Sequence, residues 1–350
     1  MMKLRICIIC LLIMAMLLSG CKEKQDFSTC NVSELDVSKM VLLNTYEFPF
    51  QLSKASISPL ENLIAVSSRE PFSFTIFKQG SKASEPLFTM QIDGFVEEFI
   101  WDNAGRNLAI LPTGDELYIY NSDNNELKVY VSDSGPIGRF NWSENGSSFL
   151  ISYLSETSAS LFDLIETDSF SKLASYKRPE KFTNGVSQMA WSANDINGMV
   201  VFFSLNRLFQ YDLKNELLSE VSVDVLDTGN NDVEWMGKDS FLVIANKVYD
   251  LDFYQLKNGE LQHLGKLPKE STGISFDSGK LINDKTVYAF YIRSEAIYLF
   301  DLESLQFTKL MNIDFTNQNR AYIFDIDMKA NTLIIVNREE NKIDSYSLLN

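Results

Sequence analysis

The residue types that most often carry catalysis are scarce in this chain of 350 residues. His263 is the single histidine, so any Ser-His-Asp or Cys-His site would depend on it. It lies in Leu261-Gln262-His263-Leu264-Gly265, a segment predicted to be an outer strand of a sheet. The chain contains neither a Gly-x-Ser-x-Gly nucleophile elbow nor a Gly-x-x-x-x-Gly-Lys-Ser/Thr phosphate loop. The sequence therefore predicts no catalytic residue, no metal site and no bound cofactor.

The N-terminal segment has the organisation of an export signal. Lys3 and Arg5 precede a thirteen-residue apolar run over residues 6–18, and the small residues Ser19 and Gly20 follow it. A short apolar run between a positive start and a small-residue cleavage site is typical of a secretory leader. A helix that crosses a bilayer needs about 20 apolar residues, so this run is too short for a membrane span. Residues 1–20 are therefore predicted to be a cleaved signal peptide.

The leader ends in Leu18-Ser19-Gly20-Cys21, which resembles the lipobox of bacterial lipoproteins. The resemblance implies cleavage before Cys21, whose thiol carries diacylglycerol and whose amino group carries a further acyl chain; several chains together anchor a protein stably. The alternative is an ordinary secreted protein with its first cysteine there. Residues 21–40 are polar and predicted to be a flexible tether. Lys22 after the cysteine favours the outer membrane, on its periplasmic side or at the cell surface.

The remaining cysteines and the charge restrict the possible functions further. Cys7 and Cys10 leave with the leader, so Cys30 is the only other thiol and no internal disulfide is expected. The formal net charge is −16, and loss of Lys3 and Arg5 gives −16 − 2 = −18. Because so negative a protein repels phosphate backbones, nucleic acid is not an expected partner.

A repeat of forty-odd residues dominates the rest of the chain. Each unit has an aromatic residue or isoleucine before a polar turn, then short apolar strands, and its markers are separated by 44, 41, 49, 44, 41 and 50 residues. This period, made of short strands, is typical of a β-propeller with about four strands per blade. The markers are Ile57, Trp101, Trp142, Trp191, Trp235, Phe276 and Ile326.

The two ends of the folded part complement each other. The last unit stops after its third strand, near residues 343–348, whereas an additional strand is predicted at residues 41–48. We therefore predict that the N-terminal strand joins the last blade and closes the ring, which removes an exposed sheet edge. Residues 41–350 are predicted to be one all-β, seven-bladed propeller, most simply a monomer; six or eight blades remain alternatives.

The turns Trp101-Asp102-Asn103-Ala104-Gly105 and Trp142-Ser143-Glu144-Asn145-Gly146 resemble the Trp-Ser-Pro-Asp-Gly turn of TolB-like propeller repeats, which are WD40-like in architecture. The resemblance covers most of residues 41–350 but is degenerate, and it implies architecture rather than activity. Trp101, Trp142, Trp191 and Trp235 occupy equivalent positions in the repeat. That equivalence favours packing between blades over a stacking platform for sugars.

Arginine and glutamate recur in loops predicted to share one face of blades one, six and seven. We interpret these residues as a candidate binding patch for an acidic or carboxylate-bearing partner; the alternative is solvated turns whose ion pairs contribute little. The patch comprises Arg69, Glu70, Arg293, Glu295, Arg320, Arg338 and Glu339.

Two functions are compatible with these features. The first is a membrane-tethered module that binds a protein or peptide of the cell envelope. The second is an envelope enzyme that acts on glycans or lactones through carboxylates in the channel, with or without calcium. Clustered channel carboxylates with raised pKa values would favour the enzyme, whereas small and apolar channel residues would favour the binding module.

Overall fold

In the computed structural model the described residues are 40–348, except 83–84, 155–157, 181, 183, 193–197, 223–230, 238–239, 248–249, 269–275, 283–284, 293–295 and 313–321. They form seven four-stranded antiparallel sheets and contain no helix. The predicted seven-bladed propeller is confirmed. Within these residues no helix is therefore long and apolar enough to cross a membrane.

The first four blades follow the chain order, from the innermost strand to the outermost. The strand that precedes them is β1 (Val41–Glu47). The blades consist of β2 (Leu52–Ile57), β3 (Leu63–Arg69), β4 (Phe72–Lys78) and β5 (Phe88–Gln91); β6 (Val96–Trp101), β7 (Asn107–Pro112), β8 (Glu116–Asn121) and β9 (Glu126–Val131); β10 (Ile137–Trp142), β11 (Ser148–Tyr153), β12 (Ser160–Glu166) and β13 (Lys172–Lys177); and β14 (Gln188–Trp191), β15 (Met199–Ser204), β16 (Arg207–Asp212) and β17 (Leu217–Val221).

The last three blades continue the ring, and the seventh takes its outer strand from the N-terminus. They consist of β18 (Asp232–Gly237), β19 (Ser240–Asn246), β20 (Asp250–Lys257) and β21 (Glu260–Pro268); β22 (Phe276–Ile282), β23 (Val287–Ile292), β24 (Ala296–Asp301) and β25 (Gln306–Asn312); and β26 (Tyr322–Asp327), β27 (Thr332–Asn337) and β28 (Lys342–Ser347) with β1.

Ring closure occurs through β1, as predicted. Val41 lies opposite Ser347 and Glu47 opposite Lys342, so β1 pairs antiparallel with β28. The Tyr46 hydroxyl also accepts a hydrogen bond of 2.8 Å from the backbone N–H of Gly80 in blade one. The N-terminal strand thus joins the last blade to the first.

Seven apolar cores, one between each pair of neighbouring blades, hold the described part of the ring together. Second and third strands are packed on both faces and read as continuous apolar runs, such as the wholly buried β23. Outer strands have one exposed face and alternate, as β13 does. Burial between blades is therefore the main stabilising contribution.

The recurrent turn motif has a structural explanation. Gly105 and Gly146 have φ values of +67° and +70°, a region that favours glycine. A Cβ atom at Gly105 would lie 2.6 Å from the Ser58 Oγ of blade one, and one at Gly146 would lie 2.9 Å from the Asp102 carboxylate of blade two. These turns therefore interlock between neighbouring blades.

All seven innermost strands run in the same direction, which defines two faces of the disc. The upper face carries the blade-to-blade connections and the turns between second and third strands. The lower face carries the turns between first and second strands and those between third and fourth strands. Innermost strands begin at the upper face and end at the lower one.

Candidate binding site in the central channel

A polar channel lies at the axis of the ring, where the innermost strands face one another. Its volume is about 1370 Å³. A cavity of this size can admit a peptide segment or a small molecule. The charged residues that line it are Lys54, Glu97, Glu98, Asp102, Arg139, Glu144, Asp232, Glu234, Lys280, Lys285, Asp325, Asp327, Lys329 and Arg338.

One repeat position supplies a polar channel residue in each of the first five blades. This position precedes the marker residue by three and therefore lies near the upper end of the innermost strand. In blades one to three a β-bulge immediately precedes it. Because a bulge changes the direction of a side chain, it helps to aim the residues of these three blades at the axis. The channel residues at this position in blades one to five are Lys54, Glu98, Arg139, Gln188 and Asp232.

Three cations at the upper end of the channel each donate to a backbone carbonyl of the next blade. The Lys54 ammonium donates to the Glu97 carbonyl and the Arg139 Nε–H to the Ser187 carbonyl. The Arg338 Nε–H donates to the Ser53 carbonyl at 2.8 Å. Each contact joins two blades, and each holds one end of a long side chain in place.

Burial has the largest effect on the protonation of Lys54 at this end of the channel. Burial lowers the pKa of Lys54, and Arg139 and Arg338 lower it further. Glu98 and Glu97 act in the opposite direction. The carboxylates of blade two are thus the counterions of a cationic group contributed by blades one, three and seven.

Asp232 of blade five is held by blade six. The Tyr288 hydroxyl donates to its Oδ2 at 2.6 Å, and the backbone N–H of Val233 donates to Oδ1 at 2.8 Å. The Tyr288 ring passes over Gly279, where any Cβ atom would overlap it. A glycine at residue 279 is therefore required for this hydrogen bond between blades.

The two carboxyls of β18 share one face of the strand and have raised pKa values. Burial raises the pKa of Asp232 to about 7. Burial and the neighbouring Asp232 charge raise the pKa of Glu234 well above its usual range, whereas Lys280 and Lys285 lower it. These are the raised carboxyl pKa values that the enzyme hypothesis requires, although they lie among cations rather than in a purely acidic channel.

Asp325 joins blades six, seven and one. Its Oδ1 accepts from the Lys280 ammonium at 2.7 Å, and its Oδ2 accepts from the Ser56 hydroxyl and the Ile57 N–H, both at 2.8 Å. Burial acts to lower the pKa of Lys280, but Asp325 and Asp327 together raise it above its ordinary value. The Asp325 carboxylate is thus committed to protein donors at the junction where the ring closes.

Exposed apolar side chains lie on the upper face of the disc, in blades one to four. They occupy the turns between second and third strands, the start of β4 and the connection between blades one and two. They are large apolar residues, and none of them lines the channel itself. They are Phe72, Phe95, Leu154 and Leu205, with exposed fractions of 41%, 44%, 47% and 69%.

The structure describes four of the seven residues in the predicted arginine patch. Arg69, the last residue of β3, and Glu70, in the turn that follows, are exposed. Arg338 is half-buried and lines the channel, whereas Glu339 is exposed beside it. Arg293, Glu295 and Arg320 lie outside the described residues, as do residues 1–39, which include Cys21, the predicted leader and nearly all of the predicted tether. The patch as a whole stays a prediction.

The predictions for His263 and for the tryptophans can be compared with the fold. His263 lies on the outer strand β21 and pairs with Asp252 at 3.0 Å, away from the channel. Trp101, Trp142 and Trp191 are buried, as expected for packing between blades. Trp235 differs because it is only partly buried: a register shift follows it, and at the channel the Lys285 ammonium lies 3.4 Å from its ring centroid.

Sequence reasoning missed the channel residues, although a signal for them was present. A charged or amide residue three positions before the marker recurs in blades one to five, inside an otherwise apolar strand. No group of three or more histidine, cysteine or acidic residues within the described ranges is arranged to hold a metal ion.

No family model matches the chain, and no curated protein sequence does. Solved structures do resemble it. The β-propeller domain of Cps50 (Swd1) from Myceliophteria thermophila superposes with a TM-score of 0.66 at 11% identity, over 88% of this chain and 99% of that one. The C-terminal WD40 domain of Sif2 gives 0.59 at 13% identity, over 88% and 98%. At such low identity the likeness concerns the fold alone: the chain has the architecture of a WD40-like seven-bladed β-propeller.

Proposed function

We propose that this protein is a lipid-anchored lipoprotein of the bacterial cell envelope whose propeller binds a segment of another protein at its upper face. The leader pattern and Cys21 support the anchor. The observation that carries the binding function is the upper face of the disc, which presents four exposed apolar side chains and also carries the upper end of the charged channel.

The combination of exposed apolar side chains and charged groups on the upper face is typical of a protein-binding surface. Protein interfaces combine an apolar centre, often aromatic, with a polar surround, and a few buried anchors contribute most of the affinity. Phe72, Phe95, Leu154 and Leu205 are large apolar side chains that the described part of the fold leaves exposed. A partner that buried them would gain free energy from the apolar area removed from water.

Crosslinking in intact cells that produce the full chain tests the binding function. The combined substitutions Phe95→Ser and Leu205→Ser should abolish partner capture, since both anchors are lost. The matched control is Leu173→Ser with Leu217→Ser, on outer strands, where the exposed fractions are 51% and 63%. Equal capture by the two double variants would contradict the proposal, as would loss of capture only in the control.

The anchor has a separate test. Metabolic labelling with palmitate should label the full chain but not Cys21→Ala, because only Cys21 follows the lipobox-like residues. Cys30→Ala, the control, should retain the label. Labelling of Cys21→Ala, or membrane release of the Cys30→Ala variant, would contradict the assignment of the anchor to Cys21.

The raised pKa values of Asp232 and Glu234 favour envelope glycan or lactone hydrolysis as a second candidate function. Glycosidases commonly use two carboxyl groups in different protonation states. Against this function, both oxygens of Asp232 already accept hydrogen bonds from the protein. If the enzyme hypothesis is correct, envelope glycans should be cleaved by the full chain and not by Glu234→Gln, whereas the outer-strand variant His263→Gln should remain active.

A further inference from the structure

Lys54 and Arg139 have donors that the fold does not use. Each side chain donates one hydrogen bond, to a backbone carbonyl of the next blade. The Lys54 ammonium donates to the Glu97 carbonyl, and the Arg139 Nε–H donates to the Ser187 carbonyl. Among the described residues, the Nη groups of Arg139 and the other N–H bonds of Lys54 find no acceptor in the protein. Both side chains line the channel, so these donors are available to a ligand.

The arrangement is preorganised for one negative charge. The carbonyl contacts hold both cations in place before a ligand arrives, which reduces the entropic cost of binding. Lys54, Arg139 and Arg338 are the basic groups at this end, and Glu97, Glu98 and Asp232 are the acidic groups near them. Because the two sets are nearly balanced, the site suits a monovalent anion that replaces one internal carboxylate rather than a polyanion.

The rest of the channel favours a carboxylate over a phosphate. Glu97, Glu98 and Asp232 lie near the same end of the channel, so little surplus positive charge is available to balance a dianionic phosphate. A guanidinium binds a carboxylate through two parallel hydrogen bonds, and an ammonium adds a third donor. A peptide carboxylate meets these requirements and allows the remainder of the chain to contact the apolar upper face.

We propose that Lys54 and Arg139 form a carboxylate-binding subsite at the upper end of the channel, which takes the carboxylate of a bound peptide segment in place of the internal counterion Glu98. The inference rests on the proposed function, because it specifies the chemical group that the bound segment presents. The carboxylate belongs to a chain terminus or to an aspartate or glutamate side chain.

Selective retention of peptides on the immobilised full chain, in detergent, tests the subsite. The probe is a mixture of random N-acetylated tetrapeptides, supplied as C-terminal acids and as C-terminal amides, with retained peptides quantified by mass spectrometry. We expect carboxylate-bearing peptides to be enriched about tenfold over uncharged amides, as one added charge-assisted contact would provide. Enrichment of free acids identifies a chain terminus, and enrichment of amidated peptides with aspartate or glutamate identifies a side chain.

Variants that are expected to change the peptide enrichment in opposite directions distinguish an effect on binding from an effect on folding. Lys54→Gln and Arg139→Gln should each lose most of the enrichment. Glu98→Gln should increase it, because the ligand no longer competes with an internal carboxylate, and a folding defect cannot produce that result. The control Arg207→Gln removes an exposed arginine that pairs with Glu220 on β17, and it should behave as the unsubstituted chain does.

Three results would overturn the subsite: equal retention of acids and amides, no gain in Glu98→Gln, or displacement of the peptides by inorganic phosphate at concentrations where acetate has no effect. The proposed function fails separately. If Phe95→Ser with Leu205→Ser still captures the partner while Arg139→Gln loses peptide selectivity, the upper-face proposal is wrong and the subsite stands. The reverse pattern refutes the subsite alone.

Discussion

The raised pKa of Asp232 should make the stability of this protein depend on pH in a specific direction. Burial raises that pKa from 3.8 to about 7. The folded state therefore binds this proton more tightly than the unfolded state does. The stability that this tighter proton binding contributes is fully present below the pKa that Asp232 has in the unfolded state. It is lost as the pH rises through the pKa that Asp232 has in the folded state.

The size of the effect follows from the shift. Each unit of pKa difference corresponds to about 1.4 kcal/mol. A shift of about three units gives up to about 4 kcal/mol of unfolding free energy lost between roughly pH 4 and pH 7. Glu234, whose pKa is also raised by burial and by the Asp232 charge, contributes in the same direction.

The substitution Asp232→Asn should remove this dependence while preserving the contact with blade six. The amide oxygen of asparagine can still accept the hydrogen bond from Tyr288, but the contact with the Val233 N–H is lost. That loss does not depend on pH, so it cancels when the two pH values are compared. Urea unfolding of both proteins at pH 4.5 and pH 7.5 gives the relevant quantity, the difference between their unfolding free energies. We expect the variant to gain several kcal/mol relative to the unsubstituted chain on going to the higher pH.

The control is Asp123→Asn, in an exposed turn with 57% of its side chain accessible. The unfolding free energy of this control should depend on pH as that of the unsubstituted chain does. If Asp232→Asn and Asp123→Asn have the same pH profile, Asp232 is not held protonated by the fold. A relative loss of stability by Asp232→Asn at pH 7.5 would reverse the sign and refute the reasoning.

Further substitutions and one deletion test other parts of the structure by urea unfolding. Gly279→Ala should cost at least about 2 kcal/mol, because the added methyl overlaps Tyr288, and a cost near zero would contradict that packing. Asp325→Ala should cost about 1–3 kcal/mol, since it leaves the Ser56 hydroxyl and the Ile57 N–H without their acceptor and the partly exposed Lys280 without its counterion; equal stability would refute the role of this carboxylate in ring closure. His263→Ala should cost less than about 1 kcal/mol, because its contact with Asp252 is half exposed. Deletion of residues 41–47 should lower the melting temperature sharply; an unchanged melting temperature would show that closure through β1 contributes no stability.

The repeating architecture was predictable because it is local and periodic. Marker residues such as Trp142 recur every forty-odd positions, and each unit carries its own short strands and polar turns. The missing outer strand of the last blade could be inferred by counting, and β1 occupies it. The outer-strand position of His263 followed from the same count.

The channel could not be derived from the same pattern. Residues such as Lys54, Arg139 and Asp232 come together only when blades far apart in the chain face one axis. Their spacing shows that a polar residue recurs, but it does not show which neighbour satisfies it. Arg338 illustrates the difference: the sequence indicated an exposed loop residue, whereas the structure has it at the channel, donating to Ser53 of blade one.

What the sequence indicates by itself is the repeat, with seven blades as the simplest count, the closure by the N-terminal strand and the expectation of a lipid on Cys21, since these depend on residues close together in the chain or on counting. Tertiary structure alone decides the chemistry of the channel. The pKa of Asp232 depends on burial and on Tyr288 of another blade, and the cations at the upper opening depend on carbonyls of their neighbours. Solvent exclusion and electrostatic interaction act through distance in space, which spacing along a chain does not encode.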